Sequence, residues 1–385
     1  MPNRAGRENV VPDLIAVVEA VGEDRLLAFG GLFIGALFGF FAQRSRFCLR
    51  AASIEVARGQ LGPKLAIWLF AFSAAIILTQ LLAITGQFQT ANVRQLASQG
   101  SLSGALVGGF LFGAGMILAR GCSSRLLVLA ANGNLRALLS GLIFAVAAQA
   151  TMGGVLSPLR ESIGALWTID GGNARDLLAV AGIGNTGGLL FGLVWLLAGA
   201  WFALRNRVPV WGWVGGIGTG IMVALAWWFT FKMSSLSFDP TPIKSLSFTG
   251  PSADMLMLVL SPLGQFLSFD TGLVPGVVIG SFVAGWWAHE LKLEGFQGGA
   301  AMRRYIVGAV LMGFGGMLAG GCAVGAGVSG AAVFALTAWV TLWSMWAGAA
   351  VTDWVIDRRP EAQTAASSAD GVGTGRDSAP LVVNP

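Results

Sequence analysis

Residues 105–122 read ALVGGFLFGAGMILARGC, and residues 305–322 read YIVGAVLMGFGGMLAGGC. Aligned without a gap, Val107, Gly108, Leu111, Gly113, Gly115, Leu118, Ala119, Gly121 and Cys122 match their partners 200 residues on. Each stretch is a continuous apolar run, close to the roughly 20 residues a helix needs to cross a bilayer's hydrocarbon. Neither alternates polar and apolar residues as the strand of a membrane barrel does. Gly109 and Gly113 have the spacing of small residues where membrane helices approach closely. The pair therefore predicts helices in lipid and one segment used twice.

The rest of the chain agrees. Of 385 residues, 55% are hydrophobic and 11% charged, and mean hydropathy is +0.72. A water-soluble domain carries about 25% charged residues, so lipid is the outer solvent. Apolar windows of spanning length lie at 26–43, 65–86, 102–119, 137–154, 186–204, 211–231, 271–288, 304–321 and 331–351. They predict an all-α integral membrane protein with about nine transmembrane helices. The first 24 residues are polar and of mixed charge, and do not read as a cleaved signal peptide.

Nine spans put the termini on opposite sides. An outside N-terminus and cytoplasmic C-terminus place the larger share of the 24 Lys and Arg inside, as the positive-inside rule favours. Segment 105–122 then starts outside and segment 305–322 inside, so the copies run in opposite directions. Inverted repeats are the common plan of secondary transporters, with binding sites near the midplane where the halves meet. The expected divisions are a polar segment 1–25, a first repeat 26–204 and a second repeat 205–355. A disordered cytoplasmic tail, 356–385, rich in Ala, Ser, Gly and Asp, follows.

The three cysteines are Cys48, Cys122 and Cys322. Cys48 follows Ser45-Arg46-Phe47 just past the first span; the other two follow Arg120-Gly121 and Gly320-Gly321. At Cys122 and Cys322 an apolar span meets a Gly-rich break, after which a helical pattern resumes. Broken helices at membrane depth are tolerated where they line a cavity, and a resumed half-helix points its free N–H groups into the break, favouring an anion. Arg120 adds a full charge beside one break or snorkels to the surface. Ser123 and Ser124 either donate to the ion or, the preferred reading, cap the second half-helix. A buried cysteine is ordinarily apolar filler, but two at matching repeat positions argue for a role. A disulfide would leave an odd thiol. No Cys-x-x-Cys spacing exists and the single histidine is His289, so no metal is expected. A protonated thiol is a weak donor and a soft, polarizable contact, suited to a substrate whose exposed atom is sulfur.

The segments SRFCLRAA, ARGCSSR and GGCAVGAGVSG, with Ser247-Phe248-Thr249-Gly250-Pro251-Ser252-Ala253-Asp254, resemble the YeeE/YedE family of sulfur-transport membrane proteins. The resemblance runs from residue 26 to about 355. It implies uptake of thiosulfate along a route lined by Cys48, Cys122 and Cys322, which hand the ion on by S–H···S contacts. It also implies an hourglass of two inverted halves whose short re-entrant half-helices meet at the constriction. The bacterial inner membrane is the implied location, and a TusA-like cytoplasmic sulfur carrier the implied partner.

The expected path residues are Cys48, Cys122, Cys322, Arg120, Gly121, Gly321 and Ser123, with Asp254, Ser252 and Arg46 as secondary candidates. Asp254 is read either as a half-helix cap or as a substrate contact. No cofactor is expected, and the chain lacks a Gly-x-x-x-x-Gly-Lys-[Ser/Thr] phosphate loop. The alternatives are transport of another small sulfur- or selenium-containing anion, and a membrane sulfurtransferase that forms a cysteine persulfide. No embedded histidine base favours the enzyme.

Overall fold

The computed structural model describes residues 22–237, 241–260, 267–296 and 298–358. The expected tail falls almost wholly outside them, as do residues 1–21. The described residues are mostly helical, and the strands among them are one antiparallel two-residue pair, β1 (Gly100–Ser101) and β2 (Thr168–Ile169).

Numbering only helices of eight or more residues, the order opens with α1 (Glu23–Ser45), α2 (Leu49–Ala57) and α3 (Pro63–Ile84). Next come α4 (Leu102–Leu118), α5 (Ser123–Ala131), α6 (Leu135–Gly153), α7 (Ser157–Gly164) and α8 (Gly184–Arg205). The second half holds α9 (Val210–Leu236), α10 (Thr249–Leu260), α11 (Phe269–Trp287), α12 (Gly298–Leu318) and α13 (Leu336–Thr352). Local chemistry sets several starts. Ser101 Oγ accepts from Gly104 N at 2.8 Å to cap α4, and Asn134 Oδ1 accepts from Ala137 N at 2.8 Å to cap α6. Ser268 and Thr271 form a capping box at α11, and Pro63 opens α3, where its missing N–H costs nothing.

Seven segments among the described residues are long and apolar enough to cross a membrane: Glu23–Ala57, Pro63–Ile84, Leu102–Ala131, Leu135–Gly153, Gly184–Arg205, Val210–Leu236 and Phe269–Trp287. The protein is therefore a multi-pass membrane protein. The two remaining expected windows, 304–321 and 331–351, fall on α12 and α13. Helix α12 carries Arg303 and Arg304, and α13 is only 17 residues long, which separates them from the other seven. The window at 331 also begins too early, because a six-residue turn, Gly325–Gly330, and a bend precede α13.

Glycine packs the bundle. On α1, Gly31, Gly35 and Gly39 face the backbone of α11 at Phe269, Leu273 and Val277, while Gly272, Gly276 and Gly280 face Ala28, Leu32 and Ala36 in return. Four-residue spacing puts each set on one helix face, so the two backbones lie in contact and run in the same direction. Helices α4 and α12 cross reciprocally. A methyl on Gly108 would lie 2.6 Å from Gly315 O and 2.5 Å from Ala319 N; one on Gly308 would lie 2.7 Å from Gly115 O and 2.5 Å from Ala119 N. Adding or subtracting 200 turns one set of contacts into the other, as a local two-fold relation between antiparallel helices requires.

Candidate functional site

All three cysteines are presented by one backbone device. Helix α1 ends at Arg46, whose φ is 54°; Arg46 N donates to Gln43 O and Phe47 N to Ala42 O, both at 3.1 Å. Helix α4 ends with Arg120 at φ 55°, Arg120 N bonding Ile117 O at 3.2 Å and Gly121 N bonding Met116 O at 3.1 Å. Helix α12 ends with Gly320 at φ 77°, Gly320 N bonding Met317 O at 3.3 Å and Gly321 N bonding Gly316 O at 2.9 Å. Each is a Schellman closure around a left-handed residue, and each places a cysteine two residues later. That cysteine begins the next helical turn. Its carbonyl accepts from the amide four residues on, Ala52 at 3.3 Å, Leu126 at 2.9 Å and Ala326 at 2.8 Å. The sulfurs face the N–H three residues on: Ala51, Arg125, and Gly325 at 3.3 Å.

The thiols divide into two groups. Cys48 and Cys122 are each other's principal side-chain partner, and Arg125 and Arg50 are the cations that act on Cys48. Cys122 is fully buried, with Ser124 Oγ 3.4 Å from its sulfur. Cys322 is also fully buried, and its sulfur accepts from Phe248 N at 3.3 Å, with Ser247 Oγ at 3.9 Å. Phe248 and Ser247 end an extended stretch that re-enters the bundle ahead of α10. Ser329 Oγ on Leu246 O (2.7 Å) and Ser245 Oγ on Val223 O (2.7 Å) hold that stretch.

Two cavities approach these groups. One, about 420 Å³, reaches Ser247, Thr249, Gly321 and Gly325 beside Cys322, and holds Lys244, Asp254 and Asp270. The other, about 290 Å³, reaches Gln43 and Arg125 beside the paired thiols and holds Arg46, His289 and Glu290. Asp270 opens α11 and His289 follows its end, so the cavities lie at opposite ends of a 19-residue helix, roughly 28 Å apart along its axis. Lys244 pairs with Asp270 in the first.

The remaining expected residues fall as follows. Gly121 and Gly321 sit in the turns, and a side chain on Gly321 would meet Ala326 N at 2.8 Å. Arg120 is exposed, at the same turn position that Gly320 fills in the other copy. The capping expectation for the serines is corrected: Cys122 itself is the cap residue of α5, and the buried Ser123 Oγ has no partner. Asp254 is not a cap either. It is the sixth residue of α10, half-buried, and lines the first cavity. Ser252 lies on the same helix, half-buried, and is not among the residues lining that cavity. Arg46 lines the second cavity and pairs with Glu290 at 3.1 Å. Sequence reading missed Arg125, Gln43 and Thr249. Thr249 is 2% exposed, its hydroxyl has no partner, and it lines the first cavity. Its place in the 247–254 segment was the one available signal. No group of His, Cys, Asp and Glu among the described residues is arranged to hold a metal.

Comparison with known proteins adds an independent line. Residues 44–351 match the model of the family described as Sulphur transport. Over 350 residues the chain is 28% identical to the thiosulfate transporter TsuA of Spirochaeta thermophila, covering 86% of this chain and 99% of that protein. Over 348 residues it is 23% identical to the thiosulfate transporter TsuA of Escherichia coli K12, covering 86% of this chain and 95% of that protein.

Proposed function

The chain belongs to the Sulphur transport family, and we propose from this that it takes thiosulfate up across the inner membrane, with Cys322, Cys122 and Cys48 as successive contacts. The observation that carries the reading is the turn built three times to present a thiol at the head of a helical segment, at Cys322 near one cavity and at Cys48 and Cys122 near the other. Thiosulfate carries oxyanion charge at one end and a sulfur at the other. Backbone N–H groups at each turn suit the charge, and a polarizable thiol suits the sulfur. Several weak contacts in series let an ion enter without being trapped.

In this reading the cavity holding Lys244 is periplasmic, the cavity holding Arg46 and Arg125 is cytoplasmic, and the chain forms two inverted halves, 26–204 and 205–355. The N-terminus is periplasmic and the C-terminus cytoplasmic. Arg46 and Arg120 raise the positive potential near the inner turns, and Gly121 and Gly321 let the ion approach the backbone. Ser123 and Thr249 supply unpartnered hydroxyls beside the inner and outer turns. Asp254 shapes the outer approach, and Ser252, off the cavity lining, supports it from the same helix. Two negative charges entering a cell at −100 mV face about 5 kcal/mol of opposing potential. Removal of the ion inside, for which a TusA-like sulfur carrier is the implied partner, helps to offset it. No covalent chemistry is needed.

Growth of a thiosulfate-uptake-deficient bacterium on thiosulfate as sole sulfur source tests the reading. The wild type is expected to rescue growth, and well-expressed Cys122→Ala and Cys322→Ala are expected not to. Rescue by the double variant would remove the thiols from the mechanism. Failure of well-expressed wild type would remove thiosulfate. Accumulation of a sulfane adduct on a cysteine, read by mass spectrometry, would favour a sulfurtransferase instead.

A further inference from the structure

A chain of polar contacts crosses the cavity below Cys48 and Cys122. Arg125 Nη1 donates to Gln43 Oε1 at 3.3 Å, Gln43 Nε2 donates to Glu290 Oε2 at 2.8 Å, and Arg46 Nη2 donates to Glu290 Oε1 at 3.1 Å. Gln43 is only 5% exposed, whereas the Glu290 side chain is 32% exposed. The fold sets Glu290 there. Helix α11 closes with His289 at φ 54°, and Glu290 N bonds Gly285 O at 2.8 Å. The other charged or titratable groups lining this cavity are His289, Lys292 and Glu294. Glu294 is engaged by Asn134 Nδ2, which leaves Glu290 as the carboxylate facing Gln43 and Arg46.

A fixed carboxylate at the exit of an anion path repels the substrate unless it does something for release. Two guanidinium groups closing on a shielded dianion would hold it through charge-assisted hydrogen bonds, and a site that binds too well does not conduct. We propose that Glu290 is an internal stand-in for the substrate. It occupies Arg46 directly and Arg125 through Gln43 when no ion is present, yields to the arriving ion, and competes it off toward the cytoplasm. A tethered competitor lowers apparent affinity through its effective concentration, so release is speeded without loss of the positive charge that draws the ion inward.

This inference rests on the transport reading, and the test separates the two. The full-length protein is reconstituted in proteoliposomes and radiolabelled thiosulfate uptake is followed over a concentration series. Detergent-purified protein is assayed in parallel for equilibrium binding of labelled thiosulfate and of sulfate. Glu290→Gln removes the charge and keeps the hydrogen-bonding shape. It is expected to lower KM and kcat together, each by about 5-fold or more, and to bind both anions tighter. Arg46→Gln is expected to raise KM by about 3-fold or more. A Glu290→Gln protein with wild-type KM and binding, or with weaker binding, overturns the inference, whether or not its melting temperature falls. If the wild type takes up no thiosulfate while Glu290→Gln still binds anions tighter, the transport reading fails and the role of Glu290 stands. If Glu290→Gln does not yield folded protein, Arg46→Gln with unchanged KM and binding is the overturning result.

Discussion

Arg120 and Gly320, 200 residues apart, hold the same left-handed backbone, with φ of 55° and 77°, and each stands two residues before a buried cysteine. The turn demands that conformation at both places, but only one copy meets it with the residue that adopts it freely. An ordinary side chain there costs roughly 1–2 kcal/mol, which the closed Schellman bonds hold in place. The guanidinium of Arg120 is therefore separable from the turn.

Arg120→Gly is expected to keep the fold, with stability unchanged or up to about 1 kcal/mol higher. Uptake is expected to fall about 2–5-fold at low salt, mainly through KM, and less at high salt. Uptake equal to wild type at low salt would confine Arg120 to shaping the turn.

The crossing of α4 and α12 leaves no room for a side chain at either copy of the repeated glycine. Gly108→Val and Gly308→Val each force a backbone contact near 2.6 Å apart, at a cost of about 3 kcal/mol. Comparable losses of folded, monodisperse protein are expected by size-exclusion and thermal unfolding. A large loss at one position only would break the reciprocity of the crossing.

Cys322 accepts from two buried amides, so its replacements differ. Cys322→Ala leaves Phe248 N and Gly325 N without the sulfur, costing about 1–3 kcal/mol. Cys322→Ser keeps an acceptor and is expected to recover most of that stability while remaining poor in uptake. Uptake restored by serine would show that an acceptor, not sulfur, is what the site needs.

The pairing of Cys48 with Cys122 predicts selective oxidation. Mild copper-phenanthroline treatment is expected to join these two and stop uptake, with recovery after reduction, while Cys322 stays alkylatable once the protein is denatured. Peptide mapping reads the outcome. A disulfide involving Cys322 would contradict the division of the thiols between two ends of the molecule.

Much of the site was open to sequence reading because its parts are local. Cys122 and Cys322 carry a duplicated Gly-Cys, and the helix breaks before them follow from glycine. The matching turn before Cys48 was hidden, since Arg46 and Phe47 stand where the other copies have Arg120-Gly121 and Gly320-Gly321. Arg125, Gln43 and Glu290 were invisible as a group. Gln43 and Glu290 are 247 positions apart, and no periodicity links them. Residue type leaves Asp254 open as a cap or a substrate contact and makes Ser123 a candidate cap, but Cys122 takes the cap position of α5, and α10 starts at Thr249, five residues before Asp254.

By itself the sequence determined that this chain lies in lipid, where its apolar windows fall, and that one segment occurs twice. Those are partition properties: each residue's preference for hydrocarbon or water adds up along a single helix, whatever its neighbours are. Tertiary structure decided which thiol meets which, and which carboxylate faces Gln43 and Arg46. Glu290 reaches Arg46 because α1 and α11 pack backbone to backbone through Gly31, Gly35 and Gly39 against Gly272, Gly276 and Gly280, and Cys48 meets Cys122 where the ends of α1 and α4 come together. Close approach of that kind depends on the fit of two surfaces distant in the chain, which no local preference encodes.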